Sequence, residues 1–281
     1  MQTVQDVPAL RAAIRGWRTQ GQTVGFVPTM GNLHEGHQSL IKLARARTER
    51  VVASVFVNPT QFGPGEDFER YPRTLVRDQA ALADQDCDLL FAPDVATMYP
   101  FGPGDSVSVR VPRITDELEG ACRPGHFDGM ATVVCKLFNL VQPDVAVFGQ
   151  KDYQQLKVIE RMVRDLGLPV KVLAAPIVRA EDGLALSSRN QYLNPDERAR
   201  APLLHDTLCK MRELLAQGHP WQAVEQTAAA RLVRAGFVPD YAVIRRAEDL
   251  GEPGEGQDTG LIALVAARLG STRLIDNLLF D

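Results

Sequence analysis

At 281 residues, with 45% hydrophobic and 23% charged side chains, the chain has the make-up of a globular protein of one large or two modest domains. It is long enough to bury a core without disulfide or metal staples. A formal net charge of −4 argues against a nucleic-acid backbone as the main partner, because that role calls for a basic face. The N-terminus, MQTVQDVPALRAAIRGWR, lacks the apolar run of a signal peptide, and no stretch is apolar for long enough to predict a membrane-spanning helix. Cys87, Cys122, Cys135 and Cys209 are far apart and form no Cys-x-x-Cys pair, so buried, reduced thiols and a cytoplasmic setting are expected.

In chain order, Val24 to Val27 is a continuous apolar run and predicts a buried parallel strand. Residues 37–48 follow with Leu40, Ile41, Leu43 and Ala44 on one helical face, and Val51 to Val57 reads as a second buried strand. The pattern then predicts a helix over 75–85, a strand over 88–92, a helix over 129–141, a strand over 144–148, a helix over 152–166 and a strand over 170–174. Such alternation predicts a Rossmann-like, doubly wound parallel sheet with helices on both faces, over residues 1–178. Beyond the charged turn at 179–183 the pattern changes. Asn194 as cap and Pro195 at the first helical position predict a helix running to about residue 216. A second helix over 221–235 and strands over 241–245, 261–266 and 272–275 complete a smaller α+β domain, residues 179–281.

Two of the five histidines fall in Met30-Gly31-Asn32-Leu33-His34-Glu35-Gly36-His37, between the first buried strand and the next helix. In open α/β sheets ligands sit beyond the carboxyl ends of the strands. Histidines three apart can share one side as a helix begins. Gly36 allows close backbone approach, and a helix N-terminus attracts phosphate. Paired imidazoles there suit charge developing on a phosphate. Gly149-Gln150-Lys151-Asp152 also follows a buried strand and opens a helix: Lys151 can meet phosphate and Asp152 a ribose hydroxyl. Ser187-Ser188-Arg189 offers two hydroxyls and a guanidinium, a set suited to polyphosphate. Gln61, at the end of the second strand, has both donor and acceptor for a small polar substrate, and the long stretch from Asn58 to Thr74 reads either as a mobile flap over that edge or as an ordinary connecting loop. The Gly- and charge-rich stretch 117–129, standing before a helix, suggests site lining or an interface, and reads as a solvated loop rather than a direct catalytic element. Asp67, Glu69 and Asp78 have no tight metal-ligand spacing, so any Mg2+ is expected to arrive on nucleotide phosphates.

The blocks PTMGNLHEGH (28–37), FVNPTQFG (56–63), YPRT (71–74), GHFDGMATVV (125–134), FGQKDYQQL (148–156) and SSRNQYL (187–193), in this order, resemble the pantothenate synthetase family. These are the pantoate–β-alanine ligases of vitamin B5 synthesis. They are nucleotidyltransferases with a HIGH-like histidine motif, related in fold to class I aminoacyl-tRNA synthetases. The resemblance covers essentially the whole chain. It implies that pantoate attacks the α-phosphate of ATP to give pantoyl adenylate, and that β-alanine then displaces AMP. Carried over by motif, His37 is the proton donor, and His34, Lys151 and Arg189 act beside it. Met30 to His37, Gly149 to Asp152, Val178 and Leu186 to Arg189 line the ATP site. Gln61 and Gln155 hold pantoate, and Gln61 also meets β-alanine. The resemblance further implies a homodimer. Leu186 departs from the family's usual Met, a swap of similar apolar volume. Two other readings stand beside this one, a tRNA-charging or RNA-binding protein and a nucleotide-binding regulator without catalysis. The acidic balance and the lack of an anticodon-binding extension count against the first.

Overall fold

The computed structural model describes residues 1–254 and 256–280. They form two compact units, Met1–Gln150 with Gln155–Pro176, and Lys151–Gln154 with the described residues from Ile177 onward. The division at 176/177 lies two residues before the expected one. It puts Val178, and the turn carrying Lys151, in the second unit.

In chain order to residue 175 the elements are β1 (Gln2–Val4), α1 (Val7–Arg18), β2 (Val24–Thr29), α2 (Glu35–Arg45), β3 (Arg50–Val55), α3 (Leu75–Ala83), β4 (Leu89–Phe91), α4 (Val95–Met98), α5 (Glu119–Cys122), α6 (His126–Val141), β5 (Val145–Gly149), α7 (Tyr153–Asp165) and β6 (Lys171–Ala175). The six strands form one parallel sheet in the order β1-β4-β3-β2-β5-β6. Val24, Phe26 and Val27 of β2 and all of β4 are buried, as apolar runs covered on both faces should be. Leu40, Ile41 and Ala44 of α2 pack with Val51, Ala53 and Leu90 into one core cluster.

The chain order reverses between β2 and β5, so these strands flank the topological switch point, where ligands bind in such sheets. Pro28 opens the sheet there. Thr23 and Thr29 accept backbone bonds on the β3 side, from Arg50 and Phe56, while Val24 accepts from Asp144 on the β5 side. Strand residues face alternate neighbours, so Pro28 faces β5, and it has no N–H to give. The β2–β5 ladder ends at Phe26↔Ala146, whereas β2–β3 pairing runs on to Thr29↔Val55.

The second unit holds α8 (Pro195–Arg200), α9 (Leu203–Ala216), α10 (Trp221–Arg234), β7 (Val238–Arg246), β8 (Leu261–Leu269) and β9 (Thr272–Phe280), the strands forming an antiparallel sheet β7-β8-β9. Leu204, Leu208 and Met211 of α9 and Val224, Ala228 and Leu232 of α10 pack with alternate residues of β8, Leu261, Ala263, Val265, Ala267 and Leu269. Asn194 and Glu197 form the expected capping box of α8. The single helix predicted from 194 to 216 is two, because Pro202 has no N–H and cannot continue α8.

Candidate active site

Both strand-end motifs of the first unit flank the switch point. Beyond β2 the chain turns through Gly31 (φ 83°) and Asn32 (φ 52°), both left-handed, before His34 caps α2. The cap is built by the two histidines themselves. His34 Nδ1 accepts from the Gly36 N–H at 3.1 Å, and His37 Nδ1 accepts from the His34 N–H at 3.4 Å. The ring centroids stand 4.1 Å apart with the planes tilted by 49°. An Nδ1 that accepts places the proton of the neutral ring on Nε2, so the pair has one defined tautomer, with both N–H groups on the outer edge of the imidazoles.

The backbone of this loop does not offer the phosphate cradle that the glycines suggest. Gly31 N–H donates to Thr29 Oγ1 (3.2 Å), and His37 N–H to the His34 carbonyl (2.8 Å). Asn32 and Leu33 N–H donate to the carboxylate of Asp78 on α3, at 3.1 and 2.9 Å.

Gln61 lies at the end of a short 3-10 helix, Pro59–Gln61, after β3. Its side chain is buried: Nε2 donates to Met30 Sδ at 3.0 Å, and Oε1 accepts from Asn58 Nδ2 at 3.1 Å. Asn58 is itself held, accepting from the Tyr99 hydroxyl at 2.7 Å and donating to the Gly129 carbonyl at 3.1 Å. Burial raises the Tyr99 phenol, which keeps it a donor. The Gln61 carbonyl lies 2.8 Å from His126 Nδ1, and His126 Nε2 lies 3.0 Å from Arg123 Nη1. Arg123 grips Glu66 with two bonds of 2.7 Å. Removal from water, followed by the Arg123 charge, pushes His126 down to about 4. The ring is therefore neutral near pH 7, with Nδ1–H donating to Gln61 and Nε2 accepting from Arg123. Burial alone would raise Glu66, but the bonds and charge of Arg123 outweigh it and hold the carboxyl low.

This arrangement corrects the solvated reading of 117–129 in favour of the lining one. Glu119 and Gly120 are buried, and a Cβ on Gly129 would stand 2.2 Å from the Thr60 carbonyl oxygen, so α6 packs directly on the backbone that carries Gln61. The 58–74 stretch is likewise tied by its own rings: Phe62 lies 5.4 Å from Phe68 and 5.9 Å from Tyr71. Gly149 ends β5, Gln150 follows it, and Gln155 lies half-buried on α7.

In the second unit, Lys151 and Asp152 close a single 3-10 turn, and the Lys151 carbonyl accepts from Asn277 Nδ2 of β9 at 2.9 Å. Leu186 N–H bonds the Val178 carbonyl at 2.9 Å, which puts two of the expected nucleotide-lining positions side by side. Ser187 caps the turn Ser188–Tyr192 by accepting from Arg189 N–H at 3.2 Å. Next to these residues, Arg179 binds Asp276 through two bonds, 2.6 and 2.9 Å.

The sequence model of the pantoate-beta-alanine ligase family matches residues 2–279. The chain belongs to this family. A pantothenate synthetase of Xanthomonas oryzae pv. oryzae (strain MAFF 311018) is 57% identical over 280 residues, covering 100% of both chains. The crystal structure of pantothenate synthetase from Thermus thermophilus is similar with a TM-score of 0.92 at 52% identity, over 99% of both chains. A pantoate-beta-alanine ligase from Francisella tularensis, crystallised with beta-gamma ATP and beta-alanine, is similar with a TM-score of 0.83 at 34% identity, over 99% of this chain and 97% of that one. For a pantoate-beta-alanine ligase, sequence motifs reach the ring and amide groups. They contain Asn58 and His126, and the 117–129 stretch contains Arg123, without revealing what these side chains hold, and they miss Asp78, Glu66 and Asn277 as partners. The one available signal was the density of charge and glycine at 117–129.

Proposed function

We infer that this chain is an ATP-dependent pantoate–β-alanine ligase. A pantoate carboxylate oxygen attacks the α-phosphorus of ATP, and the bond to pyrophosphate breaks. The β-alanine amine then attacks the acyl carbon of pantoyl adenylate, loses a proton and expels AMP, leaving pantothenate. The observation that carries the reading is the imidazole pair at the switch point, with both Nδ1 atoms accepting from backbone N–H groups, which assigns the neutral rings' protons to Nε2.

Charge grows on phosphate oxygens in the first step, and His34 and His37 supply donors for it, His37 acting as proton donor. Carried over by motif, Lys151, Ser187, Ser188 and Arg189 offer cations and hydroxyls suited to phosphate. Met30 to Gly36, Gly149, Gln150, Asp152, Val178 and Leu186 line the nucleotide. Gln61 and Gln155 bind pantoate, and Gln61 also meets β-alanine. Mg2+ enters on the ATP phosphates. Among the described residues no group of three or more His, Cys, Asp or Glu side chains is arranged to hold a metal ion, and no helix is long and apolar enough to cross a membrane. The reading includes a cytoplasmic homodimer, whose mass in solution is checked by light scattering on a sizing column.

The test is pantoate-dependent exchange of labelled pyrophosphate into ATP, with pantothenate and AMP formed once β-alanine is added. Folded protein that exchanges no label with Mg2+, ATP and pantoate present would overturn the function.

A further inference from the structure

The turn through Gly31 (φ 83°) and Asn32 (φ 52°) brings two successive N–H groups, those of Asn32 and Leu33, to one concave spot, an arrangement by which turn backbone ordinarily captures an anion. Here a side chain 45 residues away in sequence fills it. Asp78, 1% exposed, places Oδ2 3.1 Å from Asn32 N and Oδ1 2.9 Å from Leu33 N, and Thr74 Oγ1 donates to Oδ2 at 3.1 Å. The neighbouring Arg77 donates to Asn32 Oδ1 at 2.7 Å. Gly31 leaves the room: a Cβ there would stand 2.9 Å from Asp78 Oδ2. Leu33 directly precedes His34, whose N–H sets the His37 ring. Gly31 takes its positive φ freely, but Asn32 is a non-glycine residue in the left-handed region and depends on its surroundings to stay there. The buried carboxylate and the loop therefore hold each other in place.

We propose that Asp78 is a positioning residue for adenylation: by occupying the nest at Asn32–Leu33 it keeps nucleotide phosphate out of the backbone and fixes the His34–His37 pair that receives it. The proposal rests on the ligase reading above. A carboxylate at the bottom of the loop repels a phosphate that slips inward and leaves the imidazole Nε2–H groups as the donors at the rim. Asp78 acts through the loop and is not itself a contact of the substrate.

The test compares the parent with Asp78→Asn and Thr74→Val. Exchange kinetics give kcat and the KM for ATP separately, and nitrogen-proton correlation spectra of histidine-labelled, ligand-free protein at alkaline pH report each ring's tautomer. His34→Ala and His37→Ala assign the signals. The parent is expected to show both rings with the proton on Nε2. Asp78→Asn sets an amide N–H against the nest, and a misplacement of about 1 Å costs about 100-fold in rate. The expected result is a kcat about 100-fold lower, a KM for ATP within about threefold of the parent, and mixed tautomers at the two rings. A folded Asp78→Asn enzyme with kcat within about threefold of the parent, or with parental tautomers, overturns the proposal. If Asp78→Asn fails to fold, Thr74→Val decides: a kcat about tenfold lower at unchanged KM supports the proposal, and a kcat within about twofold sinks it. If the parent catalyses no exchange, the ligase reading falls, and the spectra still decide whether Asp78 sets the rings.

Discussion

Single residues carry the chemistry, and their effects separate by what each touches. His37→Ala and Lys151→Ala are each expected to lower exchange at least about 100-fold with little change in thermal midpoint, because the loss falls on a charged transition state rather than on a core. Parental exchange in either variant would remove that residue from the mechanism. His126 makes a different prediction. Its folded value, about 4, lies below the ordinary 6.5, so between those values the unfolded chain binds a proton that the folded chain refuses. Stability therefore falls as pH drops through this window, by up to about 3 kcal/mol in total. Glu66, also held low, adds to the loss at the acid end, as its stabilisation fades when pH falls through its folded value. His126→Asn keeps a donor for the Gln61 carbonyl and removes the titration. Thermal midpoints between pH 4 and 7 should slope less steeply in it than in the parent, and an equal slope would acquit the ring. The histidine pair was legible in the sequence because two scarce residues stand three apart at a strand–helix turn. Asp78 was not, since an aspartate on a helix gives no sign that its partners are backbone groups 45 residues earlier.

At the level of elements, helix α6 positions the 3-10 turn of Gln61 by pressing a glycine onto it. Gly129→Ala brings a Cβ against the Thr60 carbonyl and the Gln61 N–H, so the turn has to move away. Overpacking of this kind costs about 1–3 kcal/mol. The expected outcome is a thermal midpoint several degrees lower and a KM for pantoate raised about tenfold, with the KM for ATP nearly unchanged. A parental pantoate KM would uncouple α6 from substrate binding. Strands β2 to β5 were legible because strands buried on both faces read as unbroken apolar runs, and β6 was read as well, but the three-residue β1 carries no such run and was missed. Element ends were less legible. The reading from Asn194 to about residue 216 passed through Pro202, where a missing N–H divides α8 from α9. The stretch 117–129 looked solvated because its glycines and charges do not reveal that Arg123 and His126 turn inward on Glu66 and Gln61.

For the whole molecule, the match over residues 2–279 and the likeness to solved ligases over nearly the full chain leave the architecture in no doubt. What sequence periodicity could not supply is which distant strands meet. Gly25 pairs with Val145, and Gln2 with Leu89, partners that no local pattern announces. The first of these pairings makes the switch point. The second has a consequence of another kind. β1 is three residues long, yet it covers the outer side of β4, whose Leu89, Leu90 and Phe91 are wholly buried. Removing residues 1–5 bares an apolar ladder edge that other chains can extend. The truncated protein should scatter light and precipitate on warming well before the parent does; a clear, monodisperse solution would show the edge to be harmless. Three residues remote from the chemistry would then act as a guard against aggregation, and an N-terminal tag would bear on solubility more than on catalysis.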